Sequence, residues 1–199
     1  MADTPTRERI LDAALGAYGT DGFAATSLDA LAQQLGVRKQ TILYYFPSKQ
    51  ALFDAVVDEA AADLVKVFDT ESSRGLSGIN QVDAIVRHVF RLAVRRPELL
   101  GLVREVTRPG SVTAERLAGH VSPSFDRAHD FLQREMDAGR LRHSDPSMLL
   151  LSLYSTVVGV ATELEVQRAL GLPQTLRATV ARRQELIRFL HAALAPTDQ

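Results

Sequence analysis

Apolar residues recur along this chain at intervals of three and four, and no long stretch alternates apolar with polar as a half-buried strand would. Ala, Leu, Arg, Glu and Gln dominate, and Gly or Pro falls mainly between the periodic segments, so the pattern predicts helices throughout. The first spans 6–20, with Ile10, Ala13, Ala14, Ala17 and Tyr18 as its apolar stripe and Gly22 as the left-handed residue beyond its end. Thr26 suits the N-cap of a second helix, with Asp29 three residues on, and that helix ends at Leu35-Gly36. A third covers 38–46 and stops at Pro47; Ser48 then caps a fourth running to residue 68.

Beyond a Ser-Ser-Arg-Gly loop at 72–75, five further segments follow. They are 79–95, a short helix opening at Pro97, a segment interrupted or kinked at Ser122-Pro123 and ending at 138–139, then 146–170 and 174–194. A polar stretch at 108–113 separates the second from the third. The expected fold is all-α: an N-terminal three-helix bundle with a helix-turn-helix, then a larger helical domain, about nine helices in total. The division is drawn at 1–50 and 51–199.

Composition narrows the class. At 199 residues, 46% hydrophobic and 24% charged, the chain can bury a core and is not of disordered type. It has no cysteine, which removes disulfides and thiolate metal sites and fits a reducing compartment. The segment MADTPTRERI lacks the apolar run of a signal peptide. The uncharged run between Asp145 and Glu163 falls short of the ~20 residues a spanning helix needs. No membrane association and a cytoplasmic location are therefore expected. The net charge of −1 gives no bulk attraction to nucleic acid, so a DNA-binding reading must rest on where individual charges sit.

That placement is found in TSLDALAQQLGVRKQTILYYFPSKQALF, residues 26–53. Two short helices around a glycine turn fit a helix-turn-helix. Leu31 and Leu35 face the core, Ala32 allows close approach, Gly36 takes the positive φ of the turn, and Val37 and Ile42 pin the second helix to the first. The next turn is left facing outward with Arg38, Lys39, Gln40 and Thr41, side chains able to donate to bases or phosphates in a major groove. Tyr44, Tyr45 and Lys49, with Thr26 and Ser27 at the start of the preceding helix, suit phosphate oxygens.

With these residues in place, 9–53 resembles the DNA-binding region of the TetR/AcrR-type bacterial regulators. The matching features are ILDAAL, GF, TSLDALA, GV and TILYYFPSKQALF, in order, over roughly a quarter of the chain. The resemblance implies a recognition helix over 39–45, with Lys39, Gln40 and Thr41 near bases and Tyr44, Tyr45 and Lys49 on phosphates. Two positions depart from the family habit. Leu43 stands where tyrosine is frequent, and Arg38 replaces a frequent serine.

Beyond residue 70 the resemblance is one of architecture only. It implies a homodimer packed through the last two long helices, here 146–170 and 174–194, and a pocket for a small-molecule effector. Candidate lining residues are Phe90, Leu102, Phe125, His129, Phe131 and Tyr154. The implied activity is operator binding by the dimer at a pseudo-palindrome, with half-site centres at least ~34 Å apart. Release by a ligand that tilts the fourth helix would follow, with repression expected and activation the alternative. The rival reading is a helical protein-interaction or ligand-sequestering module that does not bind an operator.

An enzyme is not expected, and neither a cofactor nor a metal is assigned. His88, His120, His129, His143 and His191 are scattered, without the i, i+4 pair of helical zinc sites. Asp126 and His129 make one Asp-x-x-His, where a di-metal bundle needs paired Glu-x-x-His motifs and two more glutamates.

Overall fold

A computed structural model describes residues 4–72, 75–107 and 113–196, and those residues contain ten helices and no strand. In order they are α1 (Thr4–Thr20), α2 (Leu28–Leu35), α3 (Lys39–Tyr45), α4 (Lys49–Ser72), α5 (Ile79–Arg95), α6 (Pro97–Val106), α7 (Ala114–Asp137), α8 (Pro146–Thr162), α9 (Leu164–Ala169) and α10 (Leu176–Leu194). They form two compact units. The first takes the described residues of Met1–Leu64 and Arg96–Val121, the second those of Val65–Arg95 and Ser122–Gln199. The residues at 73–74 and most of the polar stretch at 108–113 lie outside the described residues.

In the first unit the helical period does the work. α1 buries Ile10, Leu11, Ala14, Leu15 and Tyr18, and α4 buries Leu52, Phe53, Val56, Val57, Ala60 and Ala61. The stripe of α1 is rotated from the expected one: Leu11 and Leu15 are inside, while Ala13 and Ala17 are half-buried. The larger side chains win the interior because each removes more apolar surface from water. Tyr18, Phe23 and Phe53 cluster with ring centroids 4.7–5.9 Å apart. The Tyr18 hydroxyl is buried with no hydrogen-bond partner among the described residues, and burial pushes it up to about 12.

α6 is fastened onto α1 by two glycines. A Cβ on Gly101 would lie 2.0 Å from the Gly19 carbonyl oxygen, and one on Gly19 would lie 2.2 Å from that of Glu98. The backbones touch there, and only hydrogen fits. Nearby the Glu105 carboxylate accepts the Phe23 N–H at 3.0 Å, holding the loop after α1.

In the second unit α5 packs against α8 and α10, and α8 against α10. Asp83 on α5, nearly buried, pairs with Arg87 and with His191 of α10, each at 2.9 Å. Glu135 on α7 takes both prongs of Arg140, at 2.6 and 2.8 Å, and the N–H of Gly78 at 2.7 Å.

Two helix boundaries differ from expectation. α7 continues through Pro123, where an interruption or a kink was expected, so the helix is not interrupted there. Proline removes the bond to the carbonyl four residues back, but Pro123 and Gly119 are both exposed, so water can take that carbonyl. The segment expected as one helix over 146–170 breaks at Glu163 into α8 and α9. Thr162 donates back to the Val158 carbonyl at 2.8 Å, and the Gln167 amide donates to the Val160 carbonyl at 2.9 Å. These side chains satisfy carbonyls at the end of α8 and let the chain turn without Gly or Pro.

Two outcomes are expected. Gly101→Ala should force α1 and α6 apart and cost about 1–3 kcal/mol in urea unfolding; an unchanged midpoint would mean the helices do not meet there. Glu135 is held below its ordinary value of 4.5, first by the Arg140 hydrogen bonds, against the effect of burial. Its stabilisation is therefore full above that value and is lost as pH falls through the lower, folded value. Glu135→Gln should lower stability near neutrality and flatten the acid limb of the curve of stability against pH.

Candidate nucleic-acid interface

The geometry of the site starts from one buried residue. Ile42 is 0% exposed, fixed against the core with Leu28, Leu31 and Ala32 of α2. Burying it fully contributes about 2–3 kcal/mol, enough to set the rotation of a seven-residue helix. At 100° per residue, Gln40 and Tyr44 then point almost directly away from the core. Both are exposed, Tyr44 at 78%. Leu35 and Val37, expected at the core, are half-buried and flank the turn.

The turn is closed by backbone. Gly36 adopts φ 67°, and its N–H and that of Val37 return to the carbonyls of Gln33 and Ala32, at 3.2 and 3.0 Å. A side chain at that φ is strained, so glycine is the residue that permits the reversal.

Each expected contact residue has a definite place. Ser27, not Thr26, is the N-cap of α2, its hydroxyl accepting the Ala30 N–H at 3.1 Å. Thr26 is 6% exposed and donates to the Gly22 carbonyl at 2.9 Å, so its hydroxyl shapes the loop and offers no free hydrogen to a phosphate. Arg38 is the exposed N-cap of α3, and neither it nor Gln40 makes a side-chain hydrogen bond or ion pair among the described residues. Thr41 is half-buried. Tyr44 and Tyr45 stack edge-on, 5.1 Å between centroids. Ser48 caps α4 through the Ala51 N–H at 3.0 Å.

Three cations are engaged in ways that spacing did not reveal. Lys39 Nζ sits 2.8 Å from Asp29 Oδ2 at the start of α2. Lys49 Nζ lies 4.4 Å from the Phe23 ring centroid and donates to the Ala24 carbonyl at 3.3 Å, bracing α4 against the loop before α2. Arg9 donates to the Leu35 carbonyl at 3.3 Å, tying α1 to the turn. All three partners are brought in by folding; only the residue types were visible beforehand.

Of the pocket candidates, Phe90 alone lines either of the two grooves described below. Leu102 is buried in the first unit. Phe125 and Tyr154 meet edge-on at 6.5 Å in the second unit, and His129 faces Asp130 at 3.6 Å. Phe131 is half-buried, and Phe90 is buried on α5 and lines the grooves described below. Among the described residues no group of three or more His, Cys, Asp or Glu could hold a metal, and no helix is long and apolar enough to cross a membrane.

A short helix locked by a glycine turn, presenting polar side chains and an exposed tyrosine away from its core, defines a helix-turn-helix DNA-binding protein. Comparison with known proteins points the same way. Residues 10–56 match the bacterial regulatory proteins of the tetR family. The regulator RutR of Escherichia coli K12 is 27% identical over 154 residues, covering 75% of this chain and 71% of its own. UidR of the same organism is 26% identical over 184 residues, covering 88% and 91%. A transcriptional regulator from Saccharomonospora viridis, solved with choline, superposes with a TM-score of 0.79 at 16% identity over 98% of this chain and 100% of its own. Residues 10–56 thus carry a tetR-type DNA-binding region, and over most of its length the chain is similar to helix-turn-helix transcriptional regulators.

The Lys39–Asp29 pair generates a prediction. Such an exposed pair is worth about 0–1 kcal/mol, so DNA can outcompete it. Asp29→Asn should free Lys39, remove a charge that repels phosphate, and tighten binding to duplex about two- to fivefold by fluorescence anisotropy. Weaker binding would instead show that Asp29 orients Lys39 for its contact.

Proposed function

We propose that this regulator binds a pseudo-palindromic operator as a homodimer and is released from it by a small molecule, acting as a repressor. The observation that carries the DNA-binding part is the outward face of α3, where Gln40 and Tyr44 stand opposite fully buried Ile42. In the groove, Lys39, Gln40 and Thr41 meet base edges, Arg38 reaches a base or a phosphate, and Ser27, Tyr44, Tyr45 and Lys49 hold the backbone. Thr26 holds the loop beside them.

The dimer is supported by apolar surface that one chain leaves in water. On α8, Met148 and Leu151 are exposed, and on α10, Leu176, Val180 and Phe189, the last at 60%. α8 is uncharged and largely apolar from Met148 to Ala161, yet only Val157 and Thr162 are buried. Apolar side chains left exposed on two adjacent long helices mark an association surface. A second copy presenting the same two helices buries them by twofold symmetry. The effector acts through the second unit and α4, whose chain belongs to both units. Shifting the population from mostly bound to mostly released takes ~5.5 kcal/mol of differential affinity.

Selection of bound sequences from random duplexes tests this reading. A twofold-symmetric consensus with half-sites about one helical turn or more apart is expected. An asymmetric consensus, or none, contradicts it and leaves a helical interaction module. On the selected operator, Lys49→Ala should lower the slope of log affinity against log salt by about one unit for every sequence tested. An unchanged slope would confine Lys49 to its Phe23 and Ala24 contacts.

A further inference from the structure

We propose that a groove in the second unit, between α5, the α8–α9 corner and α10, binds a small organic anion with a short apolar body. The groove has a volume of about 190 Å³. Phe90, Val94, Val160 and Leu164 line it with apolar surface, and Arg168 and Arg182 bring positive charge to it. A second lobe of about 120 Å³ between α5 and α10 shares Phe90, Val94 and Thr179 with the first and adds Arg91, Arg95 and Arg183, together with Leu176 and Val180 of the α10 face assigned above to the second copy, so in the dimer this lobe borders the interface. Among the described residues no aspartate or glutamate lines either lobe.

The chemistry of these arginines points to an anion. A guanidinium cannot shed its proton, so burial and crowding leave the charge in place. Arg182 is oriented by neutral acceptors only, donating to the Pro173 carbonyl at 2.7 Å and to the Thr179 hydroxyl at 3.0 Å. Its Nε and that of Arg183 are shielded from solvent with no acceptor. Arg95 and Arg183 have no ion pair or side-chain hydrogen bond among the described residues. Elsewhere in this unit Asp83 and Glu135 sit against arginines, whereas Arg95, Arg182 and Arg183 meet no carboxylate among the described residues. A carboxylate or phosphate in the groove accepts instead from the Nη hydrogens of Arg182 and Arg183, which line its two lobes, the Nε atoms being closed to solvent and ligand alike. The apolar wall takes the remainder of the molecule, and the volume lies below the ~300–1,000 Å³ of pockets for larger ligands. That this anion is the effector rests on the regulator reading above; that the groove binds an anion does not.

Calorimetric titration of the full chain tests the site, with hexanoate and hexyl phosphate as probes and 1-hexanol and hexylamine as controls of matched length. Both anions should bind, and the alcohol and amine at least about tenfold more weakly. The double variant Arg182→Gln, Arg183→Gln should lose about tenfold or more in affinity for the anions. Val94→Trp, which fills the space shared by both lobes without touching a charge, should abolish binding while helical circular dichroism is retained. Equal binding of hexanol and hexanoate, no binding of either anion, or undiminished binding in the folded variants would overturn the site. Operator binding measured in parallel separates the two readings. A chain that takes the selected operator but no anion refutes this groove alone; one that takes the anion but no duplex refutes the regulator.

Discussion

The burial of Ile42 against α2 is the interaction on which the proposed function turns. A seven-residue helix is too short to be stable by itself, and its amphipathic face decides where it rests. With Ile42 fully enclosed, the rotation of α3 is set, and the residues opposite it are committed to solvent or to a partner. Gly36 sets the crossing by closing the turn with a positive φ. The Ser27 and Ser48 caps begin α2 and α4 at defined residues. The polar residues that follow the turn do not build the scaffold; they are displayed by it.

Around this core the first unit is braced by contacts that bring distant residues together. The Gly19–Gly101 approach brings α6 against α1, and Glu105 holds the loop leading to α2. Asp58 of α4 gathers Arg116 and His120 from the start of α7, each at 2.8 Å. The helix-turn-helix is thus packed in one compact unit with residues from well beyond position 50. The division at residue 50 concerns function, while packing groups 96–121 with the head.

Much of this was legible beforehand because it depends on local rules. Helical period, the Gly36 turn, Pro97 at a helix start and the Ser48 cap are each set by residues within one turn of one another, and the sequence displays them directly. The breaks that were misjudged depend on something else. Whether Pro123 interrupts α7 turns on whether water reaches a carbonyl, and the α8–α9 break turns on Gln167 reaching back to Val160. Tertiary pairs were invisible for the same reason. Asp29 and Lys39 are ten residues apart on different helices, and nothing in their spacing says that they meet. The double arginine at 182–183 stands plainly in the sequence, but its lack of a carboxylate partner appears only on folding.

The most direct test of the central claim is hydrogen–deuterium exchange of the full chain, free and bound to its selected operator. If α3 enters the major groove, the amides of 38–46 and those at the starts of α2 and α4 should slow on binding. The α8 and α10 amides should change far less between the two states. Protection elsewhere, with 38–46 exchanging as in the free protein, would contradict it.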